Sequence, residues 1–90
     1  MTINGMDHFQ TLCREKLVAW YKERMPYTRI GFADTFIVWS CKTLQNYKCL
    51  VSTNVSGSGD GIYAEYTFNG DKGELYEDVY QKQINSCYTK

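Results

Sequence analysis

The sequence predicts an α+β fold of order α-β-β-β-α, a three-stranded antiparallel sheet with two helices packed on one face. Three observations carry this. Met6, Phe9, Cys13, Leu17 and Trp20 recur at spacings of three and four, an apolar stripe of helical period. Three segments rich in β-branched and aromatic residues follow, at 36–42, 48–55 and 62–68. A second stretch pairs Leu75/Tyr76 with Val79/Tyr80 and continues to Gln83 and Cys87, as one apolar helix flank would.

The elements follow in chain order. Residues 1–6 read as a frayed start. Asp7 reads as an N-cap, and the first helix spans 7–25, stopped by Pro26. Residues 26–34 form an irregular link, with Gly31 as a breaker. The sheet spans 36–68. Its first connection is 43–47, and its second is the Ser/Gly run 56–61, expected to be a flexible hairpin loop. Alternation places Ile37, Trp39, Cys41, Cys49, Val51, Ile62, Ala64, Tyr66 and Phe68 on one covered face. Ser40, Lys42, Lys48, Ser52, Asn54, Glu65 and Thr67 fall on the solvated face. After the Asn69-Gly70 turn, Asp71 with Glu74 resembles a capping box, and the second helix spans 71–87.

The chain of 90 residues fits a single domain, 1–90. Aromatics are 16 % of it, with eight Tyr, more than a small core readily buries, and exposed Tyr favours protein interfaces. Ten basic residues balance ten acidic ones, which argues against a nucleic-acid binder needing a basic excess. The balance is uneven along the chain. Residues 1–50 hold seven Lys/Arg and four Asp/Glu; residues 51–90 hold three and six. No apolar run approaches the roughly 20 residues that span a bilayer. The N-terminus has neither a basic region nor an apolar core. A cytoplasmic setting with reduced cysteines is the expectation.

Chemistry-bearing constellations are few. Cys41 and Cys49 become cross-strand neighbours if the first hairpin centres near Gln45. With Cys13, Cys87 or His8 they would form a tetrahedral zinc site. The spacings include no short Cys pair, however, and four small core side chains is the commoner role of free Cys. His8, the single histidine, lies five residues from Cys13, off the same helical face, so Cys/His catalysis has no support. The carboxylates have no evident desolvating pocket for acid–base work. Residues 57–61 (GSGDG) join two strands and lack the Lys of a phosphate-binding loop. The element order matches the double-stranded-RNA-binding domain, but the acidic start of the second helix would face phosphates. An enzyme is the least supported class, and no cofactor is implied.

Residues 38–46 (VWSCKTLQN), 48–53 (KCLVST) and 66–72 (YTFNGDK), with Glu74, Tyr76, Asp78 and Tyr80, resemble a family of small proteins from phages and prophages of Gram-positive bacteria. The resemblance covers roughly residues 36–85. Phe68 stands where that family would have Tyr, and the 56–61 loop is longer. The family brings no catalytic residues. The resemblance implies a phage accessory protein in the bacterial host cytoplasm, where such proteins often bind and inhibit host proteins.

The expected function is therefore a non-enzymatic inhibitor of a host defence protein, a CRISPR effector nuclease being the leading partner. An acidic face would occlude its nucleic-acid-binding site. The expected contacts are Asp60, Glu65, Asp71, Glu74, Glu77 and Asp78, with Tyr63 and Tyr76 as aromatic anchors. One alternative is a nucleic-acid-binding module using Arg14, Lys16, Lys22, Arg24, Arg29, Lys42 and Lys48. The other is a zinc-stabilised interaction module.

Overall fold

A computed structural model describes residues 1–57 and 60–89. One helix, α1 (Met6–Arg24), packs on a four-stranded antiparallel meander. The strands are β1 (Thr35–Thr43), β2 (Asn46–Thr53), β3 (Ile62–Asn69) and β4 (Glu74–Gln81), in spatial order β1-β2-β3-β4. The α+β class stands. The sheet has four strands rather than three, and the expected second helix at 71–87 is absent.

Helix α1 begins after Gly5, one residue before the expected start, so Asp7 lies in its first turn rather than at its cap. Asp7 at the start, with Lys22 and Arg24 in the last turn, complements the helix dipole. Pro26 follows the C-cap Met25, whose N–H closes on the Tyr21 carbonyl at 2.7 Å. Phe9, Cys13, Leu17 and Tyr21 recur every four residues and are fully buried. They meet Tyr47, Cys49, Val51, Ile62, Ala64, Tyr66 and Phe68 from the sheet, forming the core.

Strand β4 stands where the helix was expected. Leu75 and Val79 are four residues apart, a spacing that an even period also places on one face. The surroundings decide between the periods. Asn69 Oδ1 accepts from the Asp71 N–H at 3.0 Å, and the Gly73 N–H reaches the Asn69 carbonyl at 2.8 Å. Gly73 takes φ +66°, the left-handed conformation glycine tolerates. Residues 70–73 thus close a hairpin instead of opening a helix, and the apparent capping box dissolves into that turn. Tyr76, Val79 and Tyr80 then serve as strand formers.

A second correction lies in β1. The register with β2 shifts between Ile37 and Trp39, leaving Val38 as a bulge. One extra residue reverses the alternation beyond it. Trp39 pairs with Leu50 and Cys41 with Lys48 on the face away from α1, whereas Ser40 and Lys42 turn toward the helix. Gln10 Nε2 donates to Ser40 Oγ at 2.8 Å, which fixes that side. Trp39 and Cys41 are therefore not core residues. The expected loop at 56–61 includes Ser58 and Gly59, which lie outside the described residues.

The two hairpins at one end of the sheet are tied together. The Gly70 N–H donates to Asn46 Oδ1 at 2.9 Å, and Gln45 Nε2 donates to Asp71. The chain is 41 × 40 × 19 Å in extent, a slab about as thick as one helix layer on one sheet. No second α-helix covers the other side among the described residues.

Candidate functional site: the helix-free face of the sheet

The period of two that buries one face of each strand exposes the other. The cross-strand pairs of β3 and β4 place Tyr63 opposite Tyr80, Glu65 opposite Asp78, Thr67 opposite Tyr76, and Asn69 opposite Glu74 on that open face. Beside them lie Leu50, Lys48 and Ser52 of β2, then Phe36, Trp39 and Cys41 of β1. Phe36, Val38, Trp39, Tyr76 and Tyr80 each keep between 42 and 51 % of their surface exposed. A sheet face this rich in large apolar side chains is an interaction surface by composition.

The rings are ordered. Tyr63 and Tyr80 stack with centroids 5.3 Å apart and planes 21° apart. The Tyr76 hydroxyl donates to Glu74 at 3.3 Å. Lys48 Nζ lies 3.5 Å from Glu65, the one ion pair to these carboxylates among the described residues. The Asp78 carboxylate makes no hydrogen bond or ion pair among the described residues.

The eight expected contact residues divide by face and by end. Glu65, Glu74, Asp78, Tyr63 and Tyr76 share the open face. Glu77 turns to the other side, where it accepts the Tyr66 hydroxyl at 2.6 Å. Tyr66 is fully buried. Burial, then this bond to a carboxylate, pushes its hydroxyl well above the ordinary tyrosine value, so it stays a donor. Asp71 sits in the end turn, bonded by Gln45. Asp60 lies in the connection at the opposite end of β3, an eight-residue strand or about 26 Å away. The sequence suggested one acidic helical flank; these carboxylates do not form one.

The basic half is also partly committed. Arg14 Nε donates to Thr35 Oγ1 at 2.8 Å and Nη2 to the Thr35 carbonyl at 2.9 Å. Its guanidinium lies 3.9 Å from the Phe32 ring centroid. This clamp fixes the entry to β1. Lys42 lies over Tyr47, and Lys48 pairs with Glu65. Lys16, Lys22, Arg24 and Arg29 are exposed.

The zinc candidates are not brought together. Cys13 and Cys49 are buried between helix and sheet, Cys41 is on the opposite face, and Cys87 is exposed in the segment after β4. The hydrogen bond to Cys49, then burial, pushes the Cys13 thiol well above its ordinary value, away from the thiolate a metal takes. His8 Nδ1 accepts from the Asn4 N–H at 2.8 Å. Among the described residues no three His, Cys, Asp or Glu side chains cluster to hold a metal.

An open groove of about 510 Å³ runs past Ser52, Tyr63, Gln81 and Lys82 at one end of this face, and no nucleophile pairs with a base in it among the described residues. No helix among the described residues is long and apolar enough to cross a membrane.

Sequence reasoning missed Phe36, Trp39, Leu50 and Tyr80 as surface residues. The bulge concealed Trp39 from a strict alternation, and the helical reading turned Tyr80 inward. The alternating Glu74-Leu75-Tyr76-Glu77-Asp78-Val79-Tyr80 was the available signal.

No curated protein and no solved structure matches the chain. A family of unknown function (DUF6275) matches residues 10–90. The chain therefore belongs to the DUF6275 family.

Proposed function

We propose that this protein is a non-catalytic binding domain that inhibits a partner by seating the helix-free face of its sheet in a basic, nucleic-acid-binding groove. The observation that carries this is the coincidence on one open face of exposed Trp39, Tyr76 and Tyr80 with Glu65, Glu74 and Asp78. Aromatic rings supply the anchoring area of protein interfaces. Carboxylates beside them select a positively charged partner and speed its capture. The same carboxylates disfavour direct binding of nucleic acid to this face.

The resemblance to phage and prophage proteins supplies the setting, a phage accessory protein in the cytoplasm of a bacterial host. A CRISPR effector nuclease is the first partner to test, because it pairs a basic channel with a role in host defence. The experiment is a gel shift of the purified effector with its nucleic acid, titrated with this protein. Wild type should displace the nucleic acid, and an Asp78→Lys/Glu74→Lys variant should not. Equal displacement by both would refute the face assignment. A shift of nucleic acid by this protein alone would refute the mechanism.

A further inference from the structure

Strand β4 is both an edge of the sheet and the acidic border of the open face, and these two properties together specify what it accepts. As an edge it presents unpaired backbone N–H and C=O groups, a template for another strand. Its open-face residues, read backwards along the chain, are Tyr80, Asp78, Tyr76 and Glu74, so ring and carboxylate alternate. Successive members are two residues apart, about 6.8 Å. An extended chain laid against β4 repeats at that same distance.

Resting on the proposed use of this face, we infer that β4 captures an extended, arginine-bearing segment of the partner by strand addition, with arginines at alternate positions facing Tyr80, Asp78, Tyr76 and Glu74. The planar guanidinium matches both kinds of site. It lies flat on a tyrosine ring and forks onto a carboxylate, whereas the compact lysine ammonium does neither as well. The Tyr63–Tyr80 stack holds one of the rings in place.

Charge complementarity selects this occupant over a second copy of the chain. An antiparallel β4–β4 pair centred on the strand would set Glu77 against Glu77 or Asp78 against Asp78 of the second copy, and like charges directly opposite are unfavourable. A basic segment meets Glu74 and Asp78 of the open face favourably. The other edge, β1, has no acidic residue and is interrupted by the Val38 bulge, so it offers neither the charge nor an unbroken ladder.

The test uses fluorescent ten-residue peptides and the full chain, read by anisotropy. A peptide of alternating Arg and Thr should bind. The Lys/Thr counterpart should bind several-fold more weakly, and an Arg/Thr peptide methylated on alternate backbone nitrogens should lose binding. Tyr76→Thr and Tyr80→Thr, each keeping a strand-forming residue, should weaken the Arg/Thr peptide about two- to fivefold. Circular dichroism melts would verify that both variants fold. Equal binding of Arg and Lys peptides, undiminished binding of the methylated peptide, or no binding at all would each overturn the inference. If the peptides fail while displacement of the partner's nucleic acid still requires Asp78 and Glu74, the strand-addition inference falls and the proposed function stands. If that requirement also disappears, both fall.

Discussion

Glu77 and Asp78 are neighbours in sequence with the same charge, yet the structure gives them opposite work. Glu77 accepts the hydroxyl of the fully buried Tyr66 at 2.6 Å, while Asp78 points to solvent on the open face. A hydrogen bond to a charged group contributes about 1.5–3 kcal/mol. Glu77 is itself exposed, which places its contribution near the lower end, about 1.5 kcal/mol. In a domain of this size 1 kcal/mol moves the melting temperature by roughly 4–8 °C. Glu77→Ala should therefore lower Tm by about 6–12 °C. Asp78→Ala should change stability by no more than about 0.5 kcal/mol. Binding should respond the other way round, with Asp78→Ala weakening the partner and Glu77→Ala leaving it intact at temperatures where the variant is folded. Thermal melts followed by circular dichroism, with a parallel partner-binding titration, measure both. Equal melting shifts would refute the assignment of the two residues to opposite faces, because on a single helical flank they would cost alike.

Three further outcomes are expected. The Cys13, Tyr21 and Tyr66 groups are all pushed up on folding, from ordinary values of 9.0, 10.0 and 10.0, so the folded state holds these protons more tightly than the unfolded state. Stability should be intact below pH 9 and fall as pH rises past it, less steeply in Tyr66→Phe; urea midpoints that do not move between pH 7 and about pH 10.5 would contradict this. Gly70→Ala would drive a Cβ into the Gln45 carbonyl and should cost about 1–3 kcal/mol, and an unchanged melting temperature would count against the packing of the two hairpin ends. Arg14→Lys gives up the Nε bond to Thr35 and the guanidinium stack on Phe32, so it should lower stability by about 1–2 kcal/mol; an unchanged denaturant midpoint would show that the clamp contributes nothing.

The legible parts of the fold were those where one period stood alone. The helical stripe Met6, Phe9, Cys13, Leu17 and Trp20 and the alternation Ile62-Ala64-Tyr66-Phe68 each had one reading, and both elements are where the sequence put them to within a residue or two, with Tyr21 rather than Trp20 fully buried at the end of the stripe. Residues 74–81 were ambiguous because Leu75 and Val79 satisfy both periods. What resolves them is the turn chemistry of Asn69 and Gly73, two glycines among four turn residues being a hairpin signal. The Val38 bulge has no such local mark. Nothing in Ile37-Val38-Trp39 says which residue is skipped, and only the pairing with β2 reveals it. The site inherits both ambiguities. Glu65, Glu74, Asp78, Tyr63 and Tyr76 were identifiable as charged and aromatic surface, while their common face, the addition of Trp39 and Tyr80, and the removal of Glu77 and Asp71 depend on the strand β4.

The most direct test of the helix-free face as the working surface is affinity capture from nuclease-treated lysate of a CRISPR-bearing Gram-positive host, read by mass spectrometry. Three baits are compared, wild type, Asp78→Lys/Glu74→Lys on the open face, and Lys16→Glu/Lys22→Glu on the exposed side of α1. A nucleic-acid-binding protein held by wild type and by the helix variant, and released by the open-face variant, is the predicted result. Release by the helix variant instead, equal capture by all three baits, or capture seen only when the nuclease is omitted would contradict it.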